Sequence, residues 1–300
     1  MKKTLLATSA IVALGGAAFA DGHSGVSVAG YAEIGVADSG AIGSSLTFHQ
    51  DIEVTFKMSG ETDGGLSFGA SVQLDEGGTT GAGTTPSDDQ DYSVFIGGDA
   101  WKLSMGDTDG GFDKALTEIG MLTSIADDHT SHGGYNGNAG LDGDSDGQVL
   151  RLDYTGFDAF SMHVSVEEGA TDDIMGLGAA FSTDLGGTSL AIGVGYQTQG
   201  DNDIAGVSVK AGIAGFDVVL NATSGTENGN DTSYTGIGLG YTVGDVKLHA
   251  NFGENESGTT KTDGFGLAAN YSLGGGATAM FGYSSSGTTD KMSLGLGLSF

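Results

Sequence analysis

From Gly25 onward apolar side chains recur at every second position, run after run, and each run ends in a cluster of Gly, Asp, Ser or Thr. The first sets are Val26, Val28, Ala32, Ile34, Val36, then Leu46, Phe48, Ile52, Val54, Phe56, Met58; the last is Met292, Leu294, Leu296, Leu298, Phe300. A period of two belongs to strands with one apolar and one polar face, whereas an amphipathic helix repeats every 3.6 residues. Sixteen such segments fill the chain. With 57 Gly, 1 Pro and 38% hydrophobic residues, a helix bundle is excluded.

Alternation alone suits either a soluble sandwich or a membrane barrel, so the charges decide. Lys57, Lys102, Arg151, Lys210, Lys247 and Lys291 each fall on the parity opposite the apolar set of their strand, as do Glu33, Asp51, Glu53, Asp153 and Asp217. A basic side chain facing lipid at mid-depth costs about 2–4 kcal/mol, so a bilayer enforces this segregation. The opposite face, rich in Gly, Ser, Thr and Asn, is too hydrophilic for a protein core and must line water. The expectation is an all-β, 16-stranded antiparallel transmembrane β-barrel. No apolar stretch approaches the roughly 20 residues of a spanning helix. A net charge of −29 repels a phosphate backbone, which excludes nucleic acid, and the absence of Cys removes disulfides and thiolate chemistry.

Lys2 and Lys3, the apolar run Leu5 to Leu14 and Ala18-Phe19-Ala20 read as a secretory signal peptide over residues 1–20, leaving 21–300 as the barrel. Connections are expected to alternate in length. Short ones fall at Gly97 to Ala100, Gly156 to Ala159, Thr183 to Gly187 and Ala214 to Gly215; long ones are Asp75 to Asp91 and Asp107 to Gly147. Phe56, Trp101, Tyr154, Phe160, Phe181, Phe216, Tyr241 and Tyr271 stand near short turns on the apolar parity, as an interfacial aromatic girdle would.

In order along the chain, these segments resemble the bacterial outer-membrane general porins, specifically the sixteen-stranded alphaproteobacterial porins of the Rhodobacter type. The likeness is strongest at Phe56-Lys57-Met58-Ser59-Gly60 through Gly65-Leu66-Ser67-Phe68-Gly69-Ala70-Ser71, at Leu103-Ser104-Met105-Gly106-Asp107, at Tyr271-Ser272-Leu273-Gly274-Gly275-Gly276-Ala277 and at Phe300. The resemblance implies a homotrimer among outer-membrane lipids, passive diffusion of ions and small hydrophilic solutes, no enzymatic chemistry, and assembly by outer-membrane machinery that recognises the strand ending at Phe300. It also implies that the third external loop, here residues 107–147, folds inward and narrows the pore. Phe112, Leu116, Ile119 and Leu122 recur there at helical spacing, which predicts an amphipathic helix with its apolar side on the barrel wall.

Related porins oppose an acidic loop with a row of arginines. This chain has one arginine, Arg151, and carries Asp51 and Glu53 where the resemblance leads one to expect bases. The expected constriction sets Asp107, Asp109, Asp113 and Glu118 against Lys57, Lys102, Arg151 and Lys210, with Asp51 and Glu53 tilting selectivity toward cations.

Other patterns are weaker. Asp142, Asp144 and Asp146 resemble the start of a calcium loop, although the flanking helices are missing. Calcium therefore stays a candidate ligand, and a secreted acidic Gly/Asp-rich calcium-binding β-protein of adhesin or β-roll type is the alternative function. Gly65-Leu66-Ser67-Phe68-Gly69 matches a nucleophile elbow but lies within a strand, and Gly264-Phe265-Gly266-Leu267-Ala268-Ala269 mimics a dinucleotide fingerprint without a βαβ unit. His49, His129, His132, His163 and His249 have no metal-site spacing and read as polar lining.

Overall fold

The computed structural model describes residues 24–38, 45–77, 87–126, 131–135, 138, 140–141, 149–169 and 171–300. The expected leader and Asp142, Asp144 and Asp146 lie outside them. In the first half the strands are β1 (Ser24–Ala37), β2 (Thr47–Glu61), β3 (Ser67–Gly77), β4 (Ser87–Gly97), β5 (Trp101–Gly106), β6 (Val149–Phe157), β7 (Phe160–Glu167) and β8 (Ile174–Asp184), with one short helix, α1 (Gly111–Ala115), between β5 and β6. The second half adds β9 (Thr188–Gln199), β10 (Asn202–Ile213), β11 (Phe216–Glu227), β12 (Asn230–Val243), β13 (Val246–Ser257), β14 (Thr260–Gly274), β15 (Ala277–Ser286) and β16 (Thr289–Ser299).

Each strand pairs antiparallel with its neighbours in sequence, and β1 also pairs with β16, closing the barrel. Gly30 and Phe300 exchange both backbone hydrogen bonds at the seam, Phe300 N to Gly30 O at 2.9 Å and Gly30 N to Phe300 O at 3.3 Å. Closure gives every described strand a partner on both sides, which is what allows strands to cross hydrocarbon. A β-roll built of parallel coils is not what this chain forms.

The predicted parity holds along the wall. Val26, Val194, Leu220 and Leu239 point outward and are 63%, 49%, 51% and 48% exposed, while Ser208, Asn221, Asn251 and Ser293 on the inner face are buried. Outward aromatics pair at the short turns, with Phe160 and Phe181 centred 4.9 Å apart and Phe216 stacked on Tyr241 at 4.2 Å. Phe56 departs from the expected girdle: it lies mid-strand, between Val28 and Val72.

Two further expectations are corrected. The strand β4 begins at Ser87, so the link predicted to run to Asp91 is shorter. The alternation of loop length also fails beyond β9, where hairpins at both ends are tight. Asn228 (φ 51) and Gly229 (φ 76) close β11 to β12 at one end as compactly as Ala214 (φ 52) and Gly215 (φ 85) close β10 to β11 at the other. Positive φ at both central residues fits the strand twist. These hairpins project past the apolar band, and there the outward parity becomes charged: Lys261 pairs with Glu254 at 2.5 Å and with Glu256 at 3.0 Å. The ladder outlasts the hydrophobic period because water, not lipid, meets its upper end.

Leu220→Lys places a cation on the lipid face and should destabilise the barrel by about 2–4 kcal/mol in urea titrations in lipid vesicles. Thr55→Lys, on the inner face, should shift stability by no more than about 0.5 kcal/mol. Equal effects would contradict the assignment of faces.

Candidate pore constriction

After β5 the chain turns into the barrel, Asp107 N donating to Tyr92 O at 2.8 Å. The helix that follows is only α1, and Leu116 is already extended (φ −89, ψ 143). The longer amphipathic helix predicted through Leu122 does not form, because the wall supplies alternative partners for the backbone. Thr117 N donates to Ser208 Oγ at 2.7 Å, and Asn221 Nδ2 donates to Thr117 O at 3.0 Å. Three of the four predicted apolar residues are buried all the same, Phe112 at 0%, Leu116 at 7% and Ile119 at 1% exposure, while Leu122 is half-buried. Phe112 lies over Gly195 and Gly206, Ile119 over Gly236 and Gly238, and Ile125 over Gly35 and Gly295. Ile119 also packs with Val219 and Tyr234, joined by Met121 and Tyr135, in a small core inside the lumen.

Each buried apolar side chain contributes about 1.5–3 kcal/mol, while fixing backbone costs about 1–2 kcal/mol per residue. A few plugs cannot hold so long a segment, and polar tethers supply the rest. At the root Arg151, 3% exposed, donates from Nε to Asp153 Oδ1 at 2.8 Å, from Nη1 to Thr108 Oγ1 at 3.0 Å, and to the Asp109 carbonyl. Gly111 N donates to Ser165 Oγ at 2.7 Å. Toward the tip Asn270 Nδ2 donates to Thr123 O at 3.1 Å, the hydroxyls of Ser124 and Ser293 lie 2.6 Å apart, and Ala126 N donates to Glu33 Oε2 at 2.8 Å. Glu33 is itself held by the Tyr31 hydroxyl at 2.9 Å and by His49 Nε2 at 3.0 Å.

The segment then doubles back nearer the external strand ends. Asn251 Nδ2 donates to Ser131 O at 2.9 Å, Asn221 Nδ2 to Asn138 Oδ1 at 2.8 Å, and Leu141 N to Gln197 Oε1 at 2.7 Å. His132 lies edge to face against Tyr135 and His249, at 5.2 and 5.5 Å. Among the described residues, the contacts of this band run over the inner face of every strand from β6 round to β1. Among the described residues, no hydrogen bond of the band reaches an inward side chain of β2 to β5, where Thr55, Lys57, Ser71, Gln73 and Lys102 stay half-buried or exposed while His49, Asp51 and Ser104 are buried.

That wall holds some of the expected site residues and not others. Lys57 is exposed on β2, and Lys102 is exposed on β5 with Nζ 5.2 Å from the Phe95 ring centre. Carboxylate oxygens of Asp51, Glu53 and Asp75 lie within 4.8 Å of one another, with Gln73 Nε2 donating to Glu53 at 3.2 Å. Asp75 was not anticipated from sequence. On the loop side Asp109 meets Lys114 at 3.5 Å, and Asp113 lies in the first turn of α1. Asp107 marks the loop root, and Glu118 follows Thr117 on the band. Arg151, expected as a lumen base, is instead consumed in rooting the loop. Lys210 lies two positions from Ser208 toward the short turns and faces Asp217 at 4.0 Å, away from the Arg151 cluster.

Ser161 Oγ lies 2.9 Å from His163 Nε2, and His163 Nδ1 lies 2.7 Å from Asp153 Oδ1. This has the spacing of a hydrolytic triad. However, Asp153 is occupied by Arg151, and Ser161 lies within the β7 ladder, paired with Ala180. The chain therefore works as an extension of the loop anchor.

The sequence profile of the Gram-negative porin family matches residues 7–291. The chain belongs to the Gram-negative porins. Members of that family are outer-membrane channels and not enzymes. A porin of Rhodobacter capsulatus is 32% identical over 190 residues, which cover 60% of this chain and 58% of that relative. Among solved structures, a porin refined at 1.8 Å is 22% identical, covers 92% of this chain and 100% of its own, and superposes with a TM-score of 0.71. A variant of the Rh. blastica porin, 17% identical with the same coverage, gives 0.70. These likenesses establish the sixteen-stranded fold.

The porin contains no native Cys, so Ser124→Cys with Ser293→Cys makes a clean pair. Oxidation should cross-link more than about half the molecules, since the two side-chain oxygens stand 2.6 Å apart, close to the span of an S–S bond, read as a mobility change on non-reducing gels. A pair that stays reduced would mean that the loop tip does not rest on β16.

Proposed function

We propose that this porin forms a water-filled channel in an outer membrane for passive diffusion of ions and small hydrophilic solutes, and that it prefers cations. The observation that carries the reading is the inner wall of β2 to β5, whose inward side chains no hydrogen bond of the described band reaches. Solute passing the constriction runs between that wall and the loop band, and both carry carboxylates: Asp51, Glu53 and Asp75 on one side, Asp107, Asp109, Asp113 and Glu118 on the other. Lys57 and Lys102 are the bases on that wall and Lys114 on the band is paired with Asp109, while Arg151 is committed to the loop root and Lys210 lies lower. Fixed carboxylates lining a narrow aqueous path concentrate cations and deplete anions. A transverse field between an acidic loop and a basic wall does not fit this arrangement.

Family membership supports export through residues 1–20, assembly into a homotrimer, and recognition of the strand ending at Phe300 by the assembly machinery. The channel requires no cofactor in this reading. The calcium loop suggested by Asp142, Asp144 and Asp146 would be a separate external feature.

Planar bilayers bathed in a KCl gradient should show stepwise conductance with a reversal potential of cation-selective sign. The triple variant Asp51→Asn, Glu53→Gln, Asp75→Asn should lower the potassium-to-chloride permeability ratio roughly threefold. Anion selectivity in the unmodified protein would overturn the preference, and silent membranes would overturn the channel itself.

A further inference from the structure

We infer that a track of glycines on the inner wall sets the channel's aperture by letting the constriction loop lie flush, backbone on backbone. The inference rests on the channel reading above. A Cβ on Gly193 would fall on the Ala115 carbonyl oxygen, one on Gly178 on the Gly111 carbonyl oxygen, and one on Gly238 on the Ile119 carbonyl oxygen. On the return pass, a Cβ on Gly253 would fall on the Gly134 carbonyl oxygen, and one on Gly266 on that of Ser131. None of these glycines has φ in the left-handed region, so the backbone there accepts any residue. What excludes a side chain is the loop lying against the wall.

Glycine within a strand forfeits packing and weakens the strand, and its recurring use is the mark of another backbone approaching closely. Here the recurrence follows the loop. It lies on the inward parity of β8, β9, β12, β13 and β14, under both passes, whereas mid-strand the wall of β2 and β3 carries inward side chains such as Thr55, Lys57, Ser71 and Gln73, and its inward Gly69 lies against the Phe95 ring and not against the loop. Aperture is the lumen minus the loop, and the loop cannot approach the wall more closely than the bulkiest residue beneath it. Each Cβ added to the track therefore displaces the loop toward the wall of β2 and β3 or unseats it.

Gly206 offers a milder case and a rescue. A Cβ there would meet only side-chain atoms, Leu116 Cδ1 at 2.7 Å and the Phe112 ring at 3.0 Å. Single-channel conductance in KCl and liposome swelling with sugars of graded size read the aperture, and the gel shift between heated and unheated samples confirms a folded barrel. Gly193→Ala and Gly266→Ala should each lower conductance roughly twofold or produce flickering openings, with slower uptake of the larger sugars. Gly206→Ala should act in the same direction more weakly, and Leu116→Ala in the same chain should restore it. Gly25→Ala, off the track, where a Cβ would meet nothing nearer than Ser59 Oγ at 3.8 Å, should leave conductance unchanged. If Gly193→Ala or Gly266→Ala fails to fold, Gly206→Ala and its rescue decide alone. Folded track variants with unmodified conductance and size cut-off overturn the inference while leaving the channel intact; an unmodified protein that conducts nothing overturns the channel first.

Discussion

A backbone amide that crosses hydrocarbon must find its hydrogen-bond partner within the protein, and the rest of this molecule follows from that requirement. It forces the sheet to close, which here means that β1 accepts β16 on its free edge and that Gly30 and Phe300 complete the seam. Closure in turn creates two solvents. The outer face meets lipid and is restricted to Val, Leu, Ile, Phe and their kin. The inner face is released from that restriction and can carry charge, hydroxyls or no side chain at all. Sixteen strands enclose more room than their inward side chains fill, and the chain uses the surplus to house its own longest connection.

That connection behaves as an inner lining more than as a loop. Its apolar residues are too few to hold it, and its backbone polar groups, which would be orphaned against a bare wall, are met by Ser165, Ser208, Asn221, Asn251, Asn270 and Glu33. The wall is thus a mixed surface, glycine where the backbone touches and an amide, hydroxyl or carboxylate where a hydrogen bond is due. The one arginine of the chain stands at the root, where its fork engages Asp153 together with the first loop residues. With Arg151 engaged there, carboxylates outnumber bases on the wall of β2 and β3, so the proposed cation preference and the loop anchor depend on the same residue.

The strand parity, the barrel and the burial of Phe112, Leu116 and Ile119 are legible in the sequence because each leaves a hydrophobic period, whereas the inward fold of the segment at 107–147 is what the porin resemblance implies. What escaped were features with no such period. Helical spacing over Phe112 to Leu122 does not become a helix beyond Ala115 because Ser208 and Asn221 on the wall take the backbone groups of Thr117 that a helix would use. The expected alternation of loop lengths fails in the second half because the ladder continues past the lipid into residues such as Glu254 and Lys261, where the apolar period stops. Gly264 and Gly266 drew notice as part of a false dinucleotide fingerprint, and their role depends on Gly133 and Ser131, more than a hundred residues away in the chain. Glu33 and His49 read as generic lining, since nothing local links them to Ala126.

The central claim is that three environments coexist on one barrel: lipid outside, water against β2 to β5, and loop-covered wall elsewhere. Nitroxide labels on single cysteines, measured in proteoliposomes by power-saturation EPR with oxygen and a water-soluble nickel chelate, separate all three. Positions 218 and 220 should respond to oxygen, 71 and 73 to nickel, and 219 and 221 weakly to either. Nickel access at 219 and 221 equal to that at 71 and 73 would mean that the wall under the loop is open water, and the account would fail.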